Sequence, residues 1–96
     1  MELFIFARFH VRADGEDAAA AAIGDVVRPT REETGCLAVH GFRSVRDPRL
    51  FYIHSRWVHE AAFELHAGLA HTERFLTRME ALVDQPIEVT RSRMFA

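Results

Sequence analysis

The sequence predicts an α+β chain of ferredoxin-like order, β-α-β-β-α-β, with a four-stranded antiparallel sheet and its helices on one face. Three observations predict it. Four short segments are rich in aromatic and branched apolar residues, two others place apolar residues at helical spacing, and turn or breaker residues fall between them. At 96 residues there is room for one domain, 1–96.

Residues 1–11 read as the first strand. Leu3, Ile5, Ala7, Phe9 and Val11 take the odd positions, while Phe4, Phe6, Arg8 and His10 take the even ones. Asp14-Gly15 supplies turn chemistry. A helix starts at Glu16 and runs through the alanines of 18–22, the strongest helix formers, with Ala20, Ile23 and Val27 at helical spacing. Pro29 is expected to kink or end it, because proline cannot donate the backbone bond. A polar turn, 30–34, then leads to Gly35. Residues 36–45 and 50–57 read as a hairpin about the Asp47-Pro48 turn. Residues 59–84 read as helical, with Leu65, Leu69, Thr72, Leu76, Met79 and Val83 drawing one stripe and Gly68 a candidate break. Gln85-Pro86 stops this region, and 87–95 supply the fourth strand.

Helices cover one face of such a sheet, yet both faces carry apolar residues: Phe4 and Phe6 lie opposite Leu3, Ile5 and Phe9, and Tyr52 lies opposite Phe51 and Ile53. The open face is therefore expected to meet a second copy, giving a homodimer packed sheet on sheet. A chain this short buries only roughly 65% of its unfolded surface, which adds to that expectation.

Twelve Lys and Arg against fourteen Asp and Glu give a net charge of -2. That balance argues against nucleic acid or an anionic membrane as partner. No apolar run approaches the roughly 20 residues that span a bilayer. No leader pattern opens the chain, so the cytoplasm is the expected address. The lone Cys36 excludes an internal disulfide and a thiolate metal cluster, and its place in a strand suits a small buried hydrophobe.

Phosphate-loop, zinc-protease and nucleophile-elbow patterns are missing. Glu32-Glu33 and Glu60/Glu64 read as solvated helix surface. Histidine stands out, with six in the chain, and it is the side chain that moves protons near neutral pH. His66 and His71 would stand about 140° apart on an unbroken helix, but a break at Gly68 lets both reach one cavity. No HxH or HxxxH spacing supports a metal site, and no metal is expected. His10, His40 and His54 lie on strands as candidate interface groups. Trp57 shares a strand face with Phe51, Ile53 and Ser55, where its indole N–H needs a partner.

The stretch Thr30-Arg31-Glu32-Glu33-Thr34-Gly35-Cys36-Leu37, then Asp47-Pro48, the strand from Phe51 to Trp57, and Ala62-Phe63 with His66, His71 and Phe75 resembles the antibiotic biosynthesis monooxygenase family. The likeness is to its small quinol monooxygenases in particular and covers nearly the whole chain. It implies a dimeric α/β barrel, and oxygenation of a quinol, phenol or polycyclic aromatic by dioxygen with no flavin, haem or metal. A deprotonated phenol is a good donor to dioxygen, so the substrate replaces the cofactor, and the protein supplies a dry cavity, a base and hydrogen bonds. Two positions depart from the family pattern, with Ser55 where Glu is frequent and Val39 where Tyr is frequent. The first strand lacks the asparagine of the haem-degrading branch, and Phe75-Leu76 stand where that branch has its ligand histidine, which disfavours haem degradation.

The expected site is an aromatic cavity with His71 as base, His66 as a second polar contact and Trp57 as wall and donor to the substrate oxygen. Phe51, Ile53, Ser55, Phe63 and Phe75 complete its substrate-binding lining, and no cofactor is expected. The alternatives are a non-catalytic dimeric module binding a small aromatic ligand and, by analogy of fold alone, an isomerase or decarboxylase-like enzyme.

Overall fold

A computed structural model covering Met1–Ala96 has seven elements in the order β1 (Leu3–His10), α1 (Glu16–Arg31), β2 (Cys36–Arg43), β3 (Leu50–Trp57), α2 (Glu60–Ala67), α3 (Ala70–Glu80) and β4 (Glu88–Ser92). The four strands form one antiparallel sheet in the order β2-β3-β1-β4. This is the α+β ferredoxin-like fold, with the second helical region in two pieces. β1 and β3 pair along their full lengths, from Leu3 opposite Trp57 to His10 opposite Leu50.

Register decides which side chains meet the helices, because partners across a ladder share a face. Ile5, Ala7, Phe9, Phe51, Ser55, Trp57 and Val39 are all buried on the helix side. The main core joins them to Ala19, Ala22, Ile23, Val26 and Val27 of α1 and to Phe75 and Met79 of α3. A smaller core of Ile5, Trp57 and Ala62 lies at the α2 end, with Phe63 against it. On the other side Phe6, Phe42 and Tyr52 are exposed, and with Ile53 and His54 they line a depression of about 370 Å³.

Three details differ from the sequence expectation. Pro29 lies inside α1, which runs on to Arg31. The carbonyl that proline cannot serve belongs to exposed Asp25, while Thr30 Oγ1 donates to the Val26 carbonyl at 2.7 Å, so the last turn closes. The stripe holds only in its second half: Thr72 and Met79 are buried with Phe75, whereas Leu65 is 75% exposed and Leu69 38%. The bend at Gly68, whose N–H reaches the Leu65 carbonyl at 3.2 Å, turns α2 so that its only buried residue is Ala62. β4 is shorter than expected, ending at Ser92 with Met94 and Phe95 exposed.

Candidate active site

The site begins where α1 hands over to β2. The chain turns through Glu32 and Glu33, with the Glu33 N–H on the Thr30 carbonyl (3.1 Å) and the Cys36 N–H on the Glu33 carbonyl (3.1 Å). Gly35 makes the turn possible. Its φ is 92°, and a Cβ there would stand 2.7 Å from the Cβ of Ala62. The Val58 N–H on the Gly35 carbonyl (2.9 Å) ties this turn to the end of β3. Glu33 is thus delivered beneath α2, its side chain only 10% exposed.

The α2–α3 bend brings two histidines to that carboxylate. His59 caps α2, its Nδ1 accepting from the Ala62 N–H at 3.2 Å. His66 is in the last turn of α2 and His71 in the first turn of α3. Glu33 accepts from His66 Nδ1 at 2.9 Å and from His71 Nε2 at 2.6 Å, both on Oε2. Its Oε1 lies 3.1 Å from His66 Nδ1, and Thr72 Oγ1 lies 3.3 Å from the same nitrogen. In a neutral ring, donation to this carboxylate fixes the tautomer and puts the lone pair on His66 Nε2 or His71 Nδ1.

An aromatic floor supports these rings. Trp57 is fully buried, 4.8 Å from the His66 ring and 5.7 Å from Phe63 between centroids, and Phe63 is 5.6 Å from His66. The indole N–H, expected to reach a substrate oxygen, instead donates to Ser55 Oγ at 3.0 Å within the protein. That leaves Trp57 as a wall. Phe51, Ile53 and Phe75 are not gathered around it. They pack in the main core, Phe75 edge-on to Phe9 at 5.6 Å and Phe51 beneath the Arg43 guanidinium at 4.9 Å. Phe75 meets the site only at its outer side, where it and His71 line a cleft of about 180 Å³ with Ala22, Val26, Pro29 and Arg74.

Glu33, which the sequence presents with Glu32 as solvated surface, is the residue that sequence reasoning misses: its side chain is turned inward onto the two histidines. Glu60 and Glu64 do lie on the surface, where both accept from Arg91, whose guanidinium sits 5.2 Å over Phe63. Burial, with the Glu33 charge in second place, pushes the Cys36 thiol up, which suits a packing role rather than a nucleophile.

A second histidine cluster occupies the other end of the sheet. His10 Nδ1 meets Asp84 at 2.6 Å and Nε2 meets Asp47 at 3.0 Å. The hydrogen bond that His10 donates to Asp84 raises the His10 pKa above 6.5. Asp84 is lowered chiefly by that bond, and Asp47 chiefly by the Arg49 backbone N–H. His10 has the parity of the open face but is buried, and it ties the end of β1 to the β2–β3 and α3–β4 connections of the same chain. His54 is on the open face, tilted against Phe6 at 4.9 Å.

Residues 3–78 match the family model described as antibiotic biosynthesis monooxygenase. The Mycobacterium tuberculosis protein named "Putative monooxygenase Rv0793" is 28% identical over 86 residues, covering 90% of this chain and 84% of its own. Its solved structure superposes with a TM-score of 0.93 at 24% identity, over 100% of this chain and 97% of that one. The crystal structure of PA3566 from Pseudomonas aeruginosa gives 0.90 at 27% identity, over 99% and 95%. A crystal structure of an antibiotic biosynthesis monooxygenase gives 0.92 at 24%, over 98% and 99%. No helix of the chain is long and apolar enough to cross a membrane.

Proposed function

The chain belongs to the antibiotic biosynthesis monooxygenase family, and on that premise we propose that it oxidises a small quinol or phenol with dioxygen, without flavin, haem or metal. The observation that carries this reading is the convergence of Glu33, His66 and His71 beside Trp57. A phenol is a poor donor to dioxygen until its proton leaves, and an imidazole with a free lone pair is well matched to take it near neutral pH. His71 is the base: Glu33 holds its Nε2–H, Nδ1 accepts, and the ring lines the cleft beside α1. His66, held by the same carboxylate, is the second polar contact, and Trp57 and Phe63 form the wall. In oxidation of a phenol to a quinone, one oxygen atom goes to the ring, the other leaves as water, and four electrons come from the substrate.

The same reading has two chains forming a sheet-on-sheet homodimer, supported by Phe6, Phe42 and Tyr52 lying exposed on one face. Light scattering at micromolar concentration is expected to give twice the 11.0 kDa chain mass, and an 11.0 kDa particle would count against the dimer.

The test of function is oxygen uptake by the purified chain with a panel of small quinols, with and without a strong chelator. Uptake that persists in chelator is the expected result. Thermal stabilisation by an aromatic compound with no oxygen uptake would instead make the protein a binding module.

A further inference from the structure

We propose that Glu33, His66 and His71 also form a binding site for a divalent transition-metal ion of the zinc type, and that the bound ion shuts off the acid–base chemistry of the same residues. The second half of this inference rests on the function proposed above; the first half stands on geometry alone. His66 Nδ1, His71 Nε2 and a Glu33 oxygen all lie within 4.8 Å of one another. Their side chains are 14%, 21% and 10% exposed, so the donors are already gathered and largely desolvated. Two imidazoles and one carboxylate suit zinc, and they leave a fourth position for water.

Around a tetrahedral ion with bonds of about 2.1 Å, ligand atoms stand roughly 3.4 Å apart. The Glu33 contacts at 2.9 and 2.6 Å would open slightly, and the two ring nitrogens would settle to that spacing. The rings flank the bend at Gly68 and Leu69, so this adjustment falls on side-chain rotation and on a break between helices. In the metal-free cluster two N–H protons hold the carboxylate. When the ion binds, each ring moves that proton to its other nitrogen, His66 Nε2 and His71 Nδ1, so the ion takes the lone pairs of His66 Nδ1 and His71 Nε2 and Glu33 binds the ion instead of orienting His71. Metal and base chemistry therefore exclude each other at this carboxylate.

The experiment titrates Co²⁺, as a visible reporter for Zn²⁺, into the chelator-treated full-length chain. Absorption bands of tetrahedral character should saturate at one ion per chain and be abolished by Zn²⁺. Trp57, the only tryptophan, lies 4.8 Å from the His66 ring and should be quenched in parallel. Glu33→Gln, His66→Ala and His71→Ala should each weaken Co²⁺ binding by at least about 100-fold, since even outer-shell partners are worth roughly 10- to 100-fold. Circular dichroism shows whether each variant is folded, and His71→Gln replaces His71→Ala if it is not. His40 and His54 face each other across β2 and β3 and are the competing imidazole pair, so His40→Ala should leave binding unchanged. Bands that are absent, that survive Glu33→Gln and His71→Ala, or that vanish in His40→Ala would overturn the site. In the turnover arm, Zn²⁺ should stop oxygen uptake and chelator restore it, whereas uptake that rises with Zn²⁺ would overturn the shut-off. Cobalt binding without any quinol turnover would leave the metal site standing and sink the proposed function; turnover without cobalt binding would do the reverse.

Discussion

Two histidine–carboxylate clusters occupy opposite ends of the sheet, and they are built in inverse proportion. At the Leu50 end of β3 one imidazole, His10, lies between two carboxylates, Asp84 and Asp47. At the Trp57 end one carboxylate, Glu33, lies between two imidazoles, His66 and His71. The central group of each is largely shielded from water, at 9% exposure for the His10 side chain and 10% for that of Glu33. The difference is in what each leaves free. Both nitrogens of His10 are taken, so its ring can do nothing but hold three segments together. Each ring at the other end uses one nitrogen on Glu33 and keeps the second clear of that carboxylate. Stoichiometry separates a staple from the centre proposed above to be reactive.

The largest effect that would sharpen this contrast is on turnover. His71→Ala should lower oxygen uptake by roughly 10²- to 10⁴-fold, the usual worth of a positioned base, with the chain still folded. Glu33→Gln should fall in the same direction, because the amide no longer anchors two N–H groups as a charged acceptor. His10→Gln and His54→Ala should change turnover far less, as neither touches the cluster. If His54→Ala abolished uptake and His71→Ala did not, the assignment of roles between the two ends would be broken.

A smaller effect tests the floor beneath His66. Ser55→Ala removes the acceptor of the Trp57 indole N–H and leaves a fully buried donor unpaired. Such a group costs about 1–3 kcal/mol. Urea unfolding followed by circular dichroism should show that loss, while quinol turnover of the folded fraction should stay well above that of His71→Ala. A stability loss within error would mean that the indole finds another partner and that the floor is softer than the staple.

The two ends also differ in how much of them can be read from sequence. Strand order, hairpin and inward parity follow from alternation in 1–11 and 50–57, because a period of two admits one register with a buried face. Trp57, Ser55, Phe63, His66 and His71 lie near one another because the helical region breaks between Ala67 and Ala70 and the bend brings His71 round to His66. Glu33 was missed because its neighbours, Glu32 and Thr34, are polar and exposed. Nothing local says that a glycine at positive φ two residues on will swing it under Ala62. Face alone puts Phe51 and Phe75 with Trp57. A face runs the length of a strand, and distance along it separates one core from another. The His10 staple was equally hidden: Asp84 and Asp47 are 74 and 37 residues away, and only the folded sheet brings them together. Leu65 and Leu69 fitted a stripe that the same Gly68 break turns outward.

The smallest effect is the pH dependence of that staple. The His10 pKa is raised above its ordinary 6.5, so its contribution is fully present below 6.5 and is lost as pH climbs through the raised folded value. Asp47 and Asp84 are lowered below 3.8, so their contribution is present above 3.8 and is lost as pH falls through the lowered values. The staple is therefore complete between about pH 4 and pH 6.5. The melting temperature should be highest in that window and decline on both sides. The two carboxylates are 42% and 36% exposed, so solvent and salt screen the pair, and the alkaline decline should shrink as salt is added. In His10→Gln the alkaline limb that His10 supplies should disappear. Part of the acid limb should remain, because Arg49 still faces Asp84 at 3.8 Å and its backbone N–H still bonds Asp47 at 3.0 Å. Parallel melting profiles for the wild type and His10→Gln between pH 5 and pH 9 would show that His10 carries no titrating load, and the distinction between the two ends would then rest on the Glu33 cluster alone.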